Sequence, residues 1–247
     1  MFKTTKALVL REVRYKEADK ILSLFTESDG RISAKARGTL RKSSKTTAAT
    51  QQLCYADMTL FGNKGKWTVN EASVVEDFSG LTEDIAAFSL GCYFADCIET
   101  LSVEDQPDAA MLQLVLNSLY ALSRKLYKSE HIKAVFELRL MCLAGYEPDL
   151  SACSVCEDEE PKEPMLGIDN GRLCCRPCRT SVSGELAPLC ADSLAAMRYI
   201  ISAKPKQIFS FSIDDAALGR LCTATEKYLL LHTEKRFSTL DYWKKVR

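Results

Sequence analysis

Two C-x2-C pairs, Cys153-Ser154-Val155-Cys156 and Cys175-Arg176-Pro177-Cys178, stand 18 residues apart, inside the spacing of four-cysteine zinc ribbons. Each pair makes a tight knuckle, and four thiolates at ~2.3 Å close a tetrahedron around one ion with no position left for water. The pattern predicts one structural Zn ion held by Cys153, Cys156, Cys175 and Cys178, a site that supports folding and hydrolyses nothing. Cys174 adjoins Cys175 and stands as an alternative ligand, although the C-x3-C spacing it makes is less favoured. Tyr146-Glu147-Pro148 and Ser183-Gly184 mark the exits from an insertion at about 146–184. Inside it, Glu157-Asp158-Glu159-Glu160 reads as an exposed acidic loop that repels polyanions.

The chain has 11 cysteines, an odd number, and no window of about 18 apolar residues. Thiols in that setting fit a reducing cytosol, so a soluble cytoplasmic protein with no membrane contact is expected. Cysteines 54, 92, 97, 142, 190 and 222 fall in or beside strand and helix runs and read as small core residues.

Net charge is zero, but residues 1–80 hold 14 Lys and Arg against 9 Asp and Glu, and the remainder holds 19 against 24. A segment carrying +5 suits a polyanion. That same segment offers five strand-like runs, at 6–12, 20–26, 31–37, 54–61 and 66–75, separated by turn chemistry such as Ser28-Asp29-Gly30 and Gly62-Asn63-Lys64-Gly65. Five such strands predict an OB-like barrel. In the third run Ile32, Ala34 and Ala36 alternate with Arg31, Ser33, Lys35 and Arg37, one face apolar and the other cationic. A Gly-, Ser- and Lys/Arg-rich loop follows, and six cations fall between Arg31 and Lys45 with no acidic residue among them. Lys35, Arg37, Arg41, Lys42 and Lys45 are therefore the candidate nucleic-acid contacts, with Arg14 and Lys16 in the turn between the first two strands. Tyr15 in that turn is placed either to stack on a base or to plug the barrel. Phe61 and Trp67 read as core or rim packing.

Beyond Asp77 the apolar period changes from 2 to about 3.6. Leu81, Ile85, Phe88, Cys92, Ala95 and Ile98 form one stripe. Leu112, Val115, Leu119, Leu122 and Leu126 form a second, and Ile132, Val135, Phe136, Leu140 and Leu143 a third. Three helices in series predict a bundle, with two more at Asp192–Ala203 and Asp214–Thr233 and a short tail ending in Tyr242-Trp243. The expected fold class is α+β multidomain: an OB-fold domain at 1–80, then a helical domain at 81–247 carrying the four-cysteine insertion.

Enzyme chemistry lacks parts here. His131 and His232 are the two histidines, neither near a plausible nucleophile, and His131 reads as the solvent-exposed start of a helix. No phosphate-binding glycine loop occurs. A binding protein is expected. The rival readings are a zinc-ribbon transcription or translation factor and a thiol–disulfide enzyme using C-x2-C.

Lys6-Ala7-Leu8-Val9-Leu10, then Arg14-Tyr15-Lys16-Glu17-Ala18-Asp19 leading into Ile21-Leu22-Ser23-Leu24-Phe25-Thr26, resembles the opening of RecO recombination mediators. Gly30, Ala36-Arg37-Gly38 with its basic loop, Phe136-Glu137-Leu138-Arg139-Leu140, Gly145-Tyr146-Glu147-Pro148 and the cysteine pairs with Gly171 continue the resemblance over nearly the whole chain. It implies an OB fold, a helical domain carrying the zinc element, binding of single- and double-stranded DNA, and annealing of complementary strands. It further implies partnership with RecR, contact with single-stranded-DNA-binding protein, and loading of RecA. Some members lack the four cysteines, so zinc is inferred from this sequence's own residues.

Overall fold

Period-2 alternation in the first third of the chain produces a closed barrel in the computed structural model, which describes every residue but Lys42 and Lys64. Strands β1 (Phe2–Tyr15), β2 (Asp19–Thr26), β3 (Gly30–Ala36), β4 (Tyr55–Asn63) and β5 (Lys66–Glu76) pair in the order β1-β2-β3-β5-β4 and close back on β1. The β3–β5 pair is parallel and the other neighbours are antiparallel. This is the Greek-key arrangement of the OB type. Ala7, Val9, Leu22, Leu24, Ile32, Ala34, Ala36, Met58, Leu60 and Val69 fill the interior. A register shift between Val9 and Arg11 bends β1, which pairs with β4 in its first half and with β2 over its second. Gly30 makes the β2–β3 turn at φ +65°, and a Cβ there would lie 1.8 Å from the carbonyl oxygen of Gln106. Only glycine satisfies both the backbone and the space.

The helices are α1 (Ile85–Leu101), α2 (Ala109–Ser123), α3 (Ser129–Leu143), α4 (Ala191–Ser202), α5 (Asp215–Thr233) and α6 (Ser238–Val246). Asp84, Asp108 and Asp214 cap α1, α2 and α5 by accepting backbone N–H bonds of the first turn. The chain divides into two units, Met1–Arg124 with Phe237–Arg247, and Lys125–Arg236. The barrel thus shares a unit with α1, α2 and α6, whereas α3, α4 and α5 build the second. Of the three serial helices, α1 and α2 fall in the first unit and α3 in the second. The expected tail is a helix: α6 returns to α1, with Phe237 edge-on to Tyr93 at 5.5 Å and Thr239 Oγ1 donating to Asp96 at 2.7 Å. Ile85 and Leu126, expected on buried stripes, are 61% and 55% exposed, because the packed face of α1 runs through Ala87, Leu90, Phe94 and Ile98 and α2 ends at Ser123.

In the second unit α3 packs on α5 and α4. His131 is buried there, stacked between Tyr127 at 5.2 Å and Phe211 at 4.3 Å, so the solvent-exposed reading is corrected. Phe211 lies in a loop far along the chain. Burial holds the His131 pKa below the ordinary value despite a hydrogen bond with the Phe209 backbone. Deeper in, Lys133 is buried with its Nζ 2.7 Å from Glu137 and 2.9 Å from Glu226, while the Thr225 hydroxyl donates to Glu137 at 2.8 Å. A short three-stranded sheet, β6 (Pro164–Gly167), β7 (Leu173–Cys175) and β8 (Leu186–Pro188), sits in the order β7-β6-β8. Among the described residues no helix is long and apolar enough to cross a membrane.

Candidate nucleic-acid interface and metal centre

The sequence pattern of β3 becomes geometry directly. Ile32, Ala34 and Ala36 enter the barrel, and Arg31, Ser33 and Lys35 point outward, with exposed Arg37 just beyond the strand. Arg14, Lys16, Arg41 and Lys45 are all exposed; Lys42 lies outside the described residues. Tyr15 is 43% exposed on the barrel's outer edge, which excludes the plug. The Lys35 ammonium sits 4.9 Å from the Tyr15 ring centroid, and that of Lys16 at 5.6 Å.

The β2–β3 register adds a feature that counting charges along the sequence could not give. Asp19 lies beside Lys35, with Oδ2 2.8 Å from Nζ, and its Oδ1 accepts the Gly38 N–H at 2.8 Å. Glu104 approaches Arg31 at 4.0 Å. The cationic stretch is therefore not free of local acidic compensation, contrary to the sequence expectation. The hydrogen bond from Lys35, followed by that from Gly38, holds the Asp19 carboxyl below the usual carboxylate range. The basic loop is also more ordered than its composition implies: Leu40 N–H donates to Ala18 O at 3.1 Å, Ser44 N–H to Arg41 O at 3.0 Å, and Thr47 Oγ1 to Thr39 O at 2.6 Å. Asp19 positions the turn and loop around Lys35.

In the second unit, the Sγ atoms of Cys153, Cys156, Cys175 and Cys178 all lie within 4.8 Å of one another. Cys175 Sγ is 3.7 Å from both Cys153 and Cys156. A tetrahedron of ligands at ~2.3 Å has edges of about 3.8 Å, whereas a disulfide needs about 2.0 Å. The donor set therefore fits a metal ion. Cys174, whose thiol points away and donates to its neighbour's carbonyl at 3.3 Å, stands outside the cluster, which settles Cys175 as the member. The end of β7 presents Cys175, and the 3-10 turn Arg176–Ser181 presents Cys178. Burial disfavours the Cys153 thiolate, but N–H groups of Cys156, Val155 and Cys175 outweigh it and bring the pKa down to about 6. The hydrogen bond that Cys178 donates to Cys175, followed by burial, pushes the Cys178 thiol far up. Four cysteines this close could all ionise together only around a cation, which is what the donor set suits. By contrast, burial pushes the Cys54 thiol up to about 11 and Cys92, Cys142 and Cys222 up to about 12, in keeping with packing roles.

Sequence reasoning missed Arg198. From α4 its guanidinium donates to Leu150 O at 2.9 Å, Ser151 O at 3.0 Å and Glu159 O at 2.6 Å, and pairs with Glu160 at 2.7 Å. It staples both ends of the loop carrying Cys153 and Cys156. The acidic loop is thus partly spent on an internal partner.

A Greek-key barrel with a cation-lined edge, in one chain with a helical unit bearing a four-cysteine cluster, defines an OB-barrel protein with a metal-ribbon element. Two family models cover this chain: Recombination protein O N terminal over residues 1–78 and Recombination protein O C terminal over residues 82–241. The chain belongs to the RecO family, and its role lies in DNA repair and recombination. It is 32% identical over 240 residues to the DNA repair protein RecO of Acetivibrio thermocellus, covering 97% of this chain and 95% of that protein. It is 34% identical over 239 residues to that of Heliobacterium modesticaldum, covering 93% and 84%, and 26% identical over 243 residues to that of Alkaliphilus metalliredigens, covering 98% of each.

Proposed function

We propose that the protein is a non-enzymatic recombination mediator that binds single- and double-stranded DNA, anneals complementary strands and, with RecR, helps load RecA onto DNA coated by single-stranded-DNA-binding protein. The observation that carries the DNA reading is the outward face of β3 and its loop, where Lys35 lies against the Tyr15 ring and exposed Arg37, Arg41 and Lys45 follow along the chain. Lys42, Arg14 and Lys16 join the proposed contact set. Cations on one barrel flank neutralise two phosphate chains at once and lower the repulsion that slows pairing. No bond is made or broken in this scheme. Residues 1–80 are the DNA-binding domain of the proposal and residues 81–247 the body that meets the protein partners in the cytoplasm. Cys153, Cys156, Cys175 and Cys178 would hold one zinc ion, which supplies rigidity to the insertion and no Lewis-acid chemistry, because four thiolates leave no open position.

Strand annealing tests the reading. A Lys35→Glu, Arg37→Glu double variant, with folding checked by circular dichroism, is expected to lose tenfold or more in annealing rate and single-strand affinity. Its log K against log salt plot should be shallower by about 0.7 for each phosphate no longer neutralised. Unchanged annealing and slope would sink the barrel-flank reading. Asp19→Asn gives the opposite expectation. The amide oxygen keeps the Gly38 N–H bond while Lys35 is freed from its carboxylate, so binding tightens several-fold and the slope steepens by about the same 0.7. Looser binding with an intact fold would show instead that Asp19 orients Lys35 toward the strand. A sequence-specific transcription factor would be exposed by failure of unrelated DNA to compete.

A further inference from the structure

The barrel register places two exposed aromatic rings in line with Lys35. Lys35 pairs with Thr68 across β3–β5, Thr68 pairs with Phe61 across β4–β5, and Phe61 pairs with Phe2 across β1–β4. Residues paired in this way share a face, so Lys35, Thr68, Phe61 and Phe2 form one outward row around the barrel. At one end of the row Lys35 carries the Tyr15 ring at 4.9 Å. At the other, the Phe2 and Phe61 rings lie 5.0 Å apart with Phe2 62% and Phe61 37% exposed. Three strand spacings of ~4.8 Å give a path of about 14 Å around the barrel wall from Lys35 to Phe2. That span matches about four stacked nucleotides at ~3.4 Å each, the lower end of OB-fold site sizes.

Packing alone does not explain the pair. Cross-strand aromatic contact joins the two rings, yet most of the Phe2 ring still faces water, whereas Phe25, Tyr93 and Phe94 of the same unit are fully buried. The Phe2 backbone is not frayed, because it pairs with Phe61 of β4 and the next β4 residue, Gly62, donates its N–H to Met1 O at 2.8 Å. The rings are thus held in place and left uncovered, next to exposed Lys66 at the start of β5 and on a row that leads to the cationic edge. Aromatic faces interleaved with cations suit the bases and phosphates of a single nucleic-acid strand; a duplex keeps its bases stacked internally and has nothing to offer such rings.

We propose that Phe2 and Phe61 form a base-stacking platform for single-stranded nucleic acid, extending the path from Tyr15 and Lys35 around the barrel. The inference rests on the DNA-binding reading above, and it assigns the platform to single strands alone. Phe2→Ala and Phe61→Ala should each weaken oligo(dT) binding about fivefold or more by fluorescence anisotropy. The salt slope and duplex affinity should remain those of the unmodified protein, because every phosphate keeps its cation. Phe61→Trp provides a variant with the aromatic face intact. It should bind oligo(dT) as tightly as the original, with added indole fluorescence that is quenched on binding. Alanine variants that bind oligo(dT) normally while Lys35→Glu, Arg37→Glu does not would overturn the platform and leave the DNA reading standing. Equal losses for single strands and duplex would also overturn it, marking the rings as barrel packing. Absence of binding by the unmodified protein at low salt would remove both readings together.

Discussion

With one zinc ion held as proposed, Cys156→Ser is expected to release it from the four-cysteine cluster and to unfold the sheet of β6, β7 and β8 while the barrel persists. Leu150, Leu166, Ile168, Leu173 and Ala187 are buried in this region, but the strands are only three or four residues long and cannot hold themselves together. Structural zinc contributes about 10–16 kcal/mol in isolated fingers, and the loss here should be a substantial part of that because the helices α4 and α5 supply only some of the support. Elemental analysis should fall from one metal ion per chain toward zero. Hydrogen exchange should accelerate over residues 149–189 and stay slow over β1–β5. Cys174→Ser is the control and should retain the ion, since that thiol lies outside the cluster. A Cys156→Ser protein that keeps one tightly held ion and a protected sheet would refute the site.

The second large effect concerns the buried ion group of the second unit. Lys133→Met leaves Glu137, fully buried, and Glu226, largely buried, without the ammonium that lies within 3 Å of both. Breaking such a group by removing one partner costs about 3–5 kcal/mol, because a buried charge is left uncompensated. For a unit of this size the melting temperature should drop by on the order of 10 °C or more. The pH dependence has a definite sign. In the variant, burial and a neighbouring carboxylate raise the folded-state pKa of Glu137 above its unfolded value, so the folded form binds the extra proton. Stability of the variant should therefore rise as pH falls toward that raised pKa, and the deficit against the parent protein should shrink below neutral pH. Adding Glu137→Leu and Glu226→Gln removes all three charges and should restore most of the loss. A pH-independent deficit, or one that the triple variant does not repair, would mean that lost packing of the lysine stem is responsible.

What could be read from the sequence followed the range of the interaction involved. The barrel was legible because burial on one face imposes alternation within each strand, so Ile32, Ala34 and Ala36 announce their own orientation. The metal cluster was legible because each knuckle is local and two such pairs need only meet. Cys175 over Cys174 was decided by which side of β7 each thiol faces. Asp19 next to Lys35 was hidden, since their contact depends on the β2–β3 register and not on proximity in sequence. Lys133 and Glu137, four apart on a helix, look like a solvated surface pair until α5 covers them. His131 was misread for the same reason: its covering rings include Phe211, 80 positions further along. The helix α6 buries chiefly Leu240 and Trp243, too few apolar positions to declare a period before α1 is seen beneath them.

The return of α6 to α1 means that the first unit is interrupted by the whole of the second. A ribosome delivers residues 1–124 early and the segment that completes their packing only after residues 125–236 have emerged. At about 5–20 residues per second that interval is on the order of ten seconds. Throughout it the side of α1 that carries Tyr93 stays wet, so the nascent barrel half is sticky for longest at its helical flank, and a nonsense codon near position 236 would spare the second unit while crippling the first.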